Sequence, residues 1–327
     1  MTKLQFLNGT AALQTFETNS AFSKVQPNLQ LAWDSTSSGL LKTCPRLYQY
    51  AIIEGYESRI RNVHLHFGIL MHEAKETYDK ARARSAPHDA AVVEALRHIM
   101  CSTWNKDLNR PWASEDKHKN RETLIRTVVW YFEEYKDDPI HTVVFPDGRP
   151  AVELSFSFNT DYFAGTGERF LLAGHIDRIG ELGSQTFVCD VKTSKYQLDE
   201  RWFAQFTPHN QFTIYTIATK VVYALPAHGL IVDGIQVAMT FSRFERRPVY
   251  RSEAQLEEWY KGFGVLVKQA EQYAKDNYWP MNETSCDKFA GCQFRRICSH
   301  SPQVREQWLK SDFIKRTWNP LAVRGDV

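Results

Sequence analysis

Two short segments near the middle of the chain place acidic residues at a spacing that suits metal-assisted chemistry. Asp177 follows Gly174 in a Gly-x-x-Asp segment, and Asp190 and Lys192 form an Asp-x-Lys segment. If the second segment is a strand, Asp190 and Lys192 leave the same face while Val191 points into the core. Neighbouring carboxylates favour a hard cation such as Mg²⁺ or Mn²⁺, and an ammonium beside them can orient a water or stabilise charge on a phosphate. A solvated ion pair on a strand face would show the same spacing.

Three further features help to distinguish a metal site from a solvated ion pair. On a predicted helix, His72 lies one turn after Gly68, which would let the helix approach a sheet closely and offer an imidazole ligand. Glu153 lies in an alternating apolar pattern typical of a strand, and it either faces the same site or is solvated. Gln211 and Tyr215 are four residues apart on another predicted helix, so both can reach toward a metal or a phosphate. No single feature is specific, but the ordered set is hard to produce by chance.

The cysteines are unevenly distributed along the chain. Cys286, Cys292 and Cys298 are each separated by five residues near the C-terminus, while Cys44 precedes Pro45 far upstream. Three thiolates and one remote thiolate can hold Zn²⁺ or a [4Fe–4S] cluster. The tight Cys-x-x-Cys pairs of many zinc sites are missing, and reduced cysteines without a ligand are the remaining alternative.

Periodicity and turn residues predict an α/β protein. Apolar spacing predicts helices over 35–48, 65–84, 89–106, 115–136, 210–222 and 253–274. Alternation and β-branched residues predict strands over 152–158, 170–179, 187–193 and 234–242. This order favours a mixed central sheet flanked by helices and preceded by a helical region.

Composition limits the possible partners without naming one. Lys and Arg number 40 against 38 Asp and Glu, so any nucleic-acid contact must come from a local basic surface. Two such groups of residues lie among aromatic side chains and either hold phosphates or form solvated strips: Arg243, Arg246, Arg247 and Arg251, and Lys288, Arg295 and Arg296. No signal-peptide pattern or membrane-spanning apolar run is present, so we expect a cytosolic protein without a membrane partner.

Taken together, the motifs resemble the PD-(D/E)XK nuclease superfamily, in particular its RecB-like and Cas4-like branch. The resemblance spans roughly residues 35–298 and rests on the Gly-x-x-x-His, Gly-x-x-Asp, Asp-x-Lys and Gln-x-x-x-Tyr segments and the strand glutamate. It implies a restriction-endonuclease-like core in which the metal ligands are His72, Asp177, Asp190 and the carbonyl of Val191. It also implies a catalytic Lys192, supported in the active site by Glu153, Gln211 and Tyr215.

The same resemblance implies a domain organisation and an activity. It places a helical region with Cys44 and His72 at 1–140, the nuclease core at 141–250, and a C-terminal helix with an iron–sulfur segment at 251–327. Cys44, Cys286, Cys292 and Cys298 would hold a [4Fe–4S] cluster. The expected activity is hydrolysis of DNA by an Mg²⁺- or Mn²⁺-dependent nuclease, as an exonuclease on single strands or duplex ends with low sequence specificity. The alternative is a non-catalytic DNA-binding or scaffolding subunit with the same fold.

Overall fold

The computed structural model describes residues 20–59, 62–288 and 291–323. Its helices are α1 (Ser35–Thr43), α2 (Pro45–Tyr48), α3 (Val63–Ala83), α4 (His88–Ser102), α5 (Arg121–Glu134), α6 (Glu200–Ala204), α7 (Asn210–Val222), α8 (Glu253–Lys275), α9 (Arg295–Ser299) and α10 (Pro302–Asp312), with a π-helical turn at Gln49–Ile53 and a 3₁₀ turn at Glu283–Ser285. Its strands are β1 (Ala32–Trp33), β2 (Tyr56–Ser58), β3 (Trp104–Asn105), β4 (Arg110–Pro111), β5 (Ile140–Thr142), β6 (Val152–Phe163), β7 (Arg169–Leu182), β8 (Gln185–Ser194), β9 (Ala227–Val237), β10 (Ser242–Tyr250) and β11 (Phe313–Lys315).

A mixed sheet forms the centre of the fold and runs in the order β1-β7-β8-β9-β10, with β5 and β6 also paired to β7. Strands β6 and β8 are antiparallel to β7, whereas β9 is parallel to β8. The parallel β8–β9 pair requires a crossover, which α6 and α7 supply. This arrangement confirms the predicted α/β class with a central mixed sheet flanked by helices.

Helices cover both faces of the sheet. On one face α7 and α8 bury Phe212 and Phe263, which pack with residues of β6 and β7 in the largest apolar cluster. On the other face α3, α4 and α5 bury Phe67 and Phe132 together with Val191 of β8. Val191 therefore points into the core, as its place between Asp190 and Lys192 predicts.

Helix α5 begins later than its apolar spacing suggested. Asn120 caps the helix, since its side chain accepts the backbone N–H of Thr123 and the Thr123 hydroxyl accepts the backbone N–H of Asn120. Just before it, the Asp116 carboxylate accepts the backbone N–H groups of His118 and Lys119. The predicted start at residue 115 is therefore wrong, because 115–120 forms a turn that carries Lys119 toward β8.

The strand predicted over 234–242 is right for 234–237, which belong to β9, but wrong beyond that point. Strand β9 ends before a turn at 238–241, and β10 then runs back antiparallel to it. The Arg126 guanidinium on α5 holds the turn by donating to the carbonyls of Ala238 and Met239, each at 2.6 Å. No glycine or proline marks this turn in the sequence.

The C-terminal segment folds back onto the start of the described chain. The side chains of Asn282 and Ser285 donate to the carbonyl of Thr43 at 2.8 and 2.9 Å, and β11 pairs with β2. Segments more than 230 residues apart along the chain therefore pack side by side. Across residues 20–59, 62–288 and 291–323, every helix is too short or too polar to cross a lipid bilayer.

Candidate active site

Asp190 and Lys192 leave the same face of β8 and form an ion pair. Asp190 is only 1% exposed, and within the described residues its Oδ1 atom has no hydrogen-bond donor. Burial raises the pKa of Asp190, and although the Lys192 ammonium opposes this, the pKa stays above its ordinary value. A buried carboxylate oxygen without a donor is costly, because it has lost its hydration and gained no partner. That oxygen suits a cation ligand.

His72 and Asp177 form a second pair beside the first. The Nδ1 atom of His72 lies 3.1 Å from Oδ2 of Asp177, and both side chains are mostly buried. Burial lowers the pKa of His72, but the negative charges of Asp177 and Asp190 outweigh it, so the pKa is raised overall. The charges of Asp177, Asp190 and Lys192 all affect the pKa of His72. Helix α3 therefore places His72 next to the two aspartates on β7 and β8. Gly68, one turn earlier, faces β8 as predicted, although an added methyl would sit at an ordinary 3.8 Å from Thr193.

Glu153 lies on β6 with an unusual backbone. Its φ of 52° is in the left-handed region, which costs an L-residue about 1–2 kcal/mol. The register pairs Val152 with Arg178 and Leu154 with Ile176, so Glu153 falls opposite Asp177. Glu153, His72 and Asp177 line one narrow cleft. Glu153 was expected either to face the site or to be solvated, and in the structure it faces the site.

Gln211 and Tyr215 lie on α7 against the same group of acids. The Gln211 amide donates to the Tyr215 hydroxyl at 3.0 Å. Burial raises the pKa of Tyr215 well above its ordinary value, and the negative charges of Asp177 and Asp190 raise it further. Gly174 leaves room for the ring of Phe156, because a Cβ there would lie 3.0 Å from it, and Phe156 in turn packs edge-on against Tyr215 with ring centres 6.0 Å apart. The structure thus brings together all the side chains that the motifs single out, while a role for the Val191 carbonyl stays a prediction.

A buried ion-pair network adjoins the site and was not predicted from the sequence. Lys75 lies on α3 one turn beyond His72, and its Nζ atom lies 2.6 Å from Oδ2 of Asp79. Asp79 also lies 3.7 Å from Arg178, the neighbour of Asp177 on β7. All three side chains are buried. The network ties the helix that carries His72 to the strand that carries Asp177, and the i, i+4 spacing of Lys75 and Asp79 is the signal that could have suggested it.

Two of the four arginines in the predicted basic group at 243–251 lie inside the protein. Arg246 lies 2.7 Å from Asp138 and 2.8 Å from the buried Asp233, and it donates to the Tyr131 hydroxyl. Arg251 is buried and donates to backbone carbonyls. The interpretation of Arg246 and Arg251 as phosphate contacts or a solvated strip is therefore wrong, because both are internal.

The four predicted cluster cysteines lie in two segments that contact each other. The backbone N–H of Asn282 donates to the Cys44 thiol at 3.3 Å, and the backbone N–H of Cys292 donates to the carbonyl of Cys286 at 2.8 Å. Burial raises the pKa of Cys292, and the fields of Cys286 and Cys44 raise it further. Cys298 responds in the same way to burial, Cys292 and Cys44. In the described ranges, no three His, Cys, Asp or Glu side chains stand close enough together to hold a metal ion.

A mixed sheet with an Asp-x-Lys strand, an acidic neighbouring strand and a covering histidine helix is consistent with a restriction-endonuclease-like core. The sequence profile of the PD-(D/E)XK nuclease superfamily matches residues 36–299, and the chain belongs to that superfamily. Its members are generally metal-dependent nucleases, so the resemblance inferred from the motifs is confirmed at the level of the superfamily.

Other comparisons add little to this assignment. No curated protein matches the chain. Among solved structures, the one titled "Crystal structure of SSO0001" is 15% identical, with 55% of this chain and 76% of that chain covered and a TM-score of 0.28.

Proposed function

We propose that this protein is an Mg²⁺- or Mn²⁺-dependent deoxyribonuclease of the RecB-like and Cas4-like branch, acting on single strands or duplex ends. The observation that supports it most is the buried Asp190 oxygen without a donor, beside a lysine and within the field of Asp177 and His72. A silent, purely structural copy of this fold gains nothing from a costly buried carboxylate, so the arrangement favours an enzyme over a scaffolding subunit.

The chemistry of these residues fits a hard divalent cation, although among the described residues no three His, Cys, Asp or Glu side chains already stand close enough to hold one. His72, Asp177, Asp190 and the Val191 carbonyl would hold it, because oxygen donors with one imidazole suit Mg²⁺ and Mn²⁺. When bound, such an ion lowers the pKa of water and offsets the charge of a phosphate.

The remaining residues would act on the substrate directly. The Lys192 ammonium is partly exposed, so it can donate to a phosphate oxygen or to a water beside Asp190. The Gln211 amide and Tyr215 hydroxyl already bond to each other and would orient Lys192 or the substrate. Glu153 lines the same cleft and falls opposite Asp177 in the strand register, so it adds a carboxylate close to Asp177.

A cleavage assay tests this proposal. DNA labelled at the 5′ or 3′ end, single- or double-stranded, is incubated with Mg²⁺, Mn²⁺ or EDTA. Asp190→Asn and Lys192→Met each remove one charge with little change in volume, and we expect cleavage to fall by about 10²-fold or more. Lys136→Met, on the exposed segment after α5, is the matched control and should keep full activity. Cleavage that persists in EDTA or in Asp190→Asn would overturn the site, and DNA binding without any cleavage would favour the non-catalytic alternative.

We also propose that Cys44, Cys286, Cys292 and Cys298 hold a [4Fe–4S] cluster with a structural role. The bond from the backbone N–H of Asn282 to the Cys44 thiol supports it, because it places the C-terminal segment against the first cysteine. Four cysteine thiolates are the usual ligand set for such a cluster. It would fasten the C-terminal segment to the end of α1.

Colour and metal content test the cluster. The purified protein should be brown and contain iron and acid-labile sulfide, and Cys292→Ser should lose both. Cys101→Ser is the control, since Cys101 is exposed on α4 and outside this group. A colourless protein with stoichiometric zinc would contradict the proposal.

A further inference from the structure

Lys119 is buried between α3 and the end of β8. The side chain is only 3% exposed, and its Nζ atom donates to the Thr193 hydroxyl at 2.9 Å. The same nitrogen lies 5.4 Å from the centre of the Phe67 ring. Lysines are rarely buried to this degree unless a carboxylate pairs with them.

The charge of Lys119 is not balanced by such a partner. In the described part of the chain its ammonium forms no ion pair with a carboxylate, and Thr193 is its one side-chain hydrogen-bond partner. The carboxylate of Asp116 acts on it from a distance, while its Oδ1 atom is occupied by backbone N–H groups. Desolvation lowers the pKa of Lys119 to about 8, and Lys195 adds to the effect. An ammonium has three N–H donors, so this one can still donate to an anionic partner.

The residues around Lys119 indicate which kind of molecule would carry the anion. Thr193 directly follows Lys192 on β8, so their side chains leave opposite faces at the same end of one strand. Lys195 follows, with its ammonium 5.4 Å from the ring of Tyr196, which is 68% exposed. Cations and an exposed aromatic ring in succession suit a nucleic-acid strand, because its phosphates bind ammonium groups and its bases stack on rings.

We propose that Lys119, Thr193 and Lys195 form a phosphate-binding subsite that holds the nucleic-acid backbone next to the phosphate at Lys192. This inference rests on the proposed nuclease function and adds a substrate contact to it. Inorganic phosphate presents the same chemistry, so the test compares it with an oligonucleotide.

The first measurement is the binding of a fluorescent single-stranded oligonucleotide in EDTA at several salt concentrations. Lys119→Met should raise Kd about tenfold or more and reduce the slope of log K against log salt by about 0.7, the value for one phosphate contact on a single strand. Its melting temperature should not fall, because methionine keeps the apolar stem and removes an unpaired buried charge. Lys136→Met is the matched control at the opposite end of α5, about 21 Å along the helix axis, and it should change neither quantity.

The second measurement needs no substitution. The wild-type protein is acetylated with and without ligand, and modification of Lys195, the exposed lysine of the subsite, is read by mass spectrometry. The oligonucleotide should protect Lys195, and millimolar inorganic phosphate should not.

Each outcome separates the subsite from the nuclease proposal. If the wild type binds and cuts DNA, but Lys119→Met keeps the salt slope and Lys195 is not protected, the subsite is wrong and the nuclease proposal stands. If Lys119→Met only lowers the melting temperature, Lys119 is structural and the subsite is again wrong. Equal protection by free phosphate would overturn the assignment to nucleic acid. A wild type that neither binds nor cuts DNA would overturn both.

Discussion

Replacing Arg246 by methionine perturbs a charge that the structure places inside the protein. Its Nη1 and Nε atoms lie 2.7 Å from Asp138 and 2.8 Å from Asp233, and Asp233 is 1% exposed. Methionine replaces the aliphatic stem but leaves Asp233 without its cation, and removing one partner of a buried pair costs about 3–5 kcal/mol. For 327 residues the entropy of unfolding is about 0.7 kcal/mol per degree. The melting temperature should therefore fall by about 4–7 °C.

Thermal and urea denaturation, followed by circular dichroism, measure this cost. Arg243→Met is the matched control, because Arg243 is exposed on the same strand and should change stability by no more than about 0.5 kcal/mol. Combining Arg246→Met with Asp233→Asn should recover part of the loss, since the second change removes the uncompensated charge. The reasoning is refuted if Arg246→Met costs no more than Arg243→Met, or if the losses in the double variant simply add.

Three further predictions concern the backbone and charges around the site. Gly174→Ala should cost about 1–3 kcal/mol by overpacking against Phe156, and Phe156→Leu should restore part of it in thermal denaturation; an unchanged melting temperature would contradict the close approach. Burial lowers the pKa of His209 to about 4 from 6.5, so its contribution to stability is present above pH 6.5 and lost as the pH falls toward 4. His209→Gln should flatten the melting temperature between pH 7 and 4, and parallel curves would exclude this role. Glu153→Gly should relieve about 1–2 kcal/mol of left-handed strain yet lower the cleavage rate; a fully active variant would remove Glu153 from the site.

Local pattern was sufficient to predict much of the core. Helix α7 matches its prediction over 210–222, and β6, β7 and β8 each contain the predicted strand. Alternation along β8 also determines which side chains share a face, so the spacing of Asp190 and Lys192 was enough to place them together. These features depend on neighbours within a few residues, which a sequence displays directly.

Features that depend on distant residues were not predictable in the same way. The turn between β9 and β10 is held by Arg126, which lies more than 110 residues earlier in the chain. Arg246 looked like a surface cation because its acidic partners, Asp138 and Asp233, come from other elements. Lys119 likewise belongs to a turn that the apolar spacing assigned to a helix. In the first two cases a tertiary contact outweighed the local pattern, whereas the turn that carries Lys119 is formed by local bonds to Asp116 and Asn120.

The contact between Thr43 and the segment around Asn282 has a consequence during translation. Asn282 is made 239 residues after Thr43, which at about 5–20 residues per second takes roughly 12–48 s on the ribosome. Throughout that interval the nascent helices α1 and α2 lack the surface that later covers them. Until Asn282 has been synthesised, α1 and α2 therefore remain exposed to chaperones and proteases.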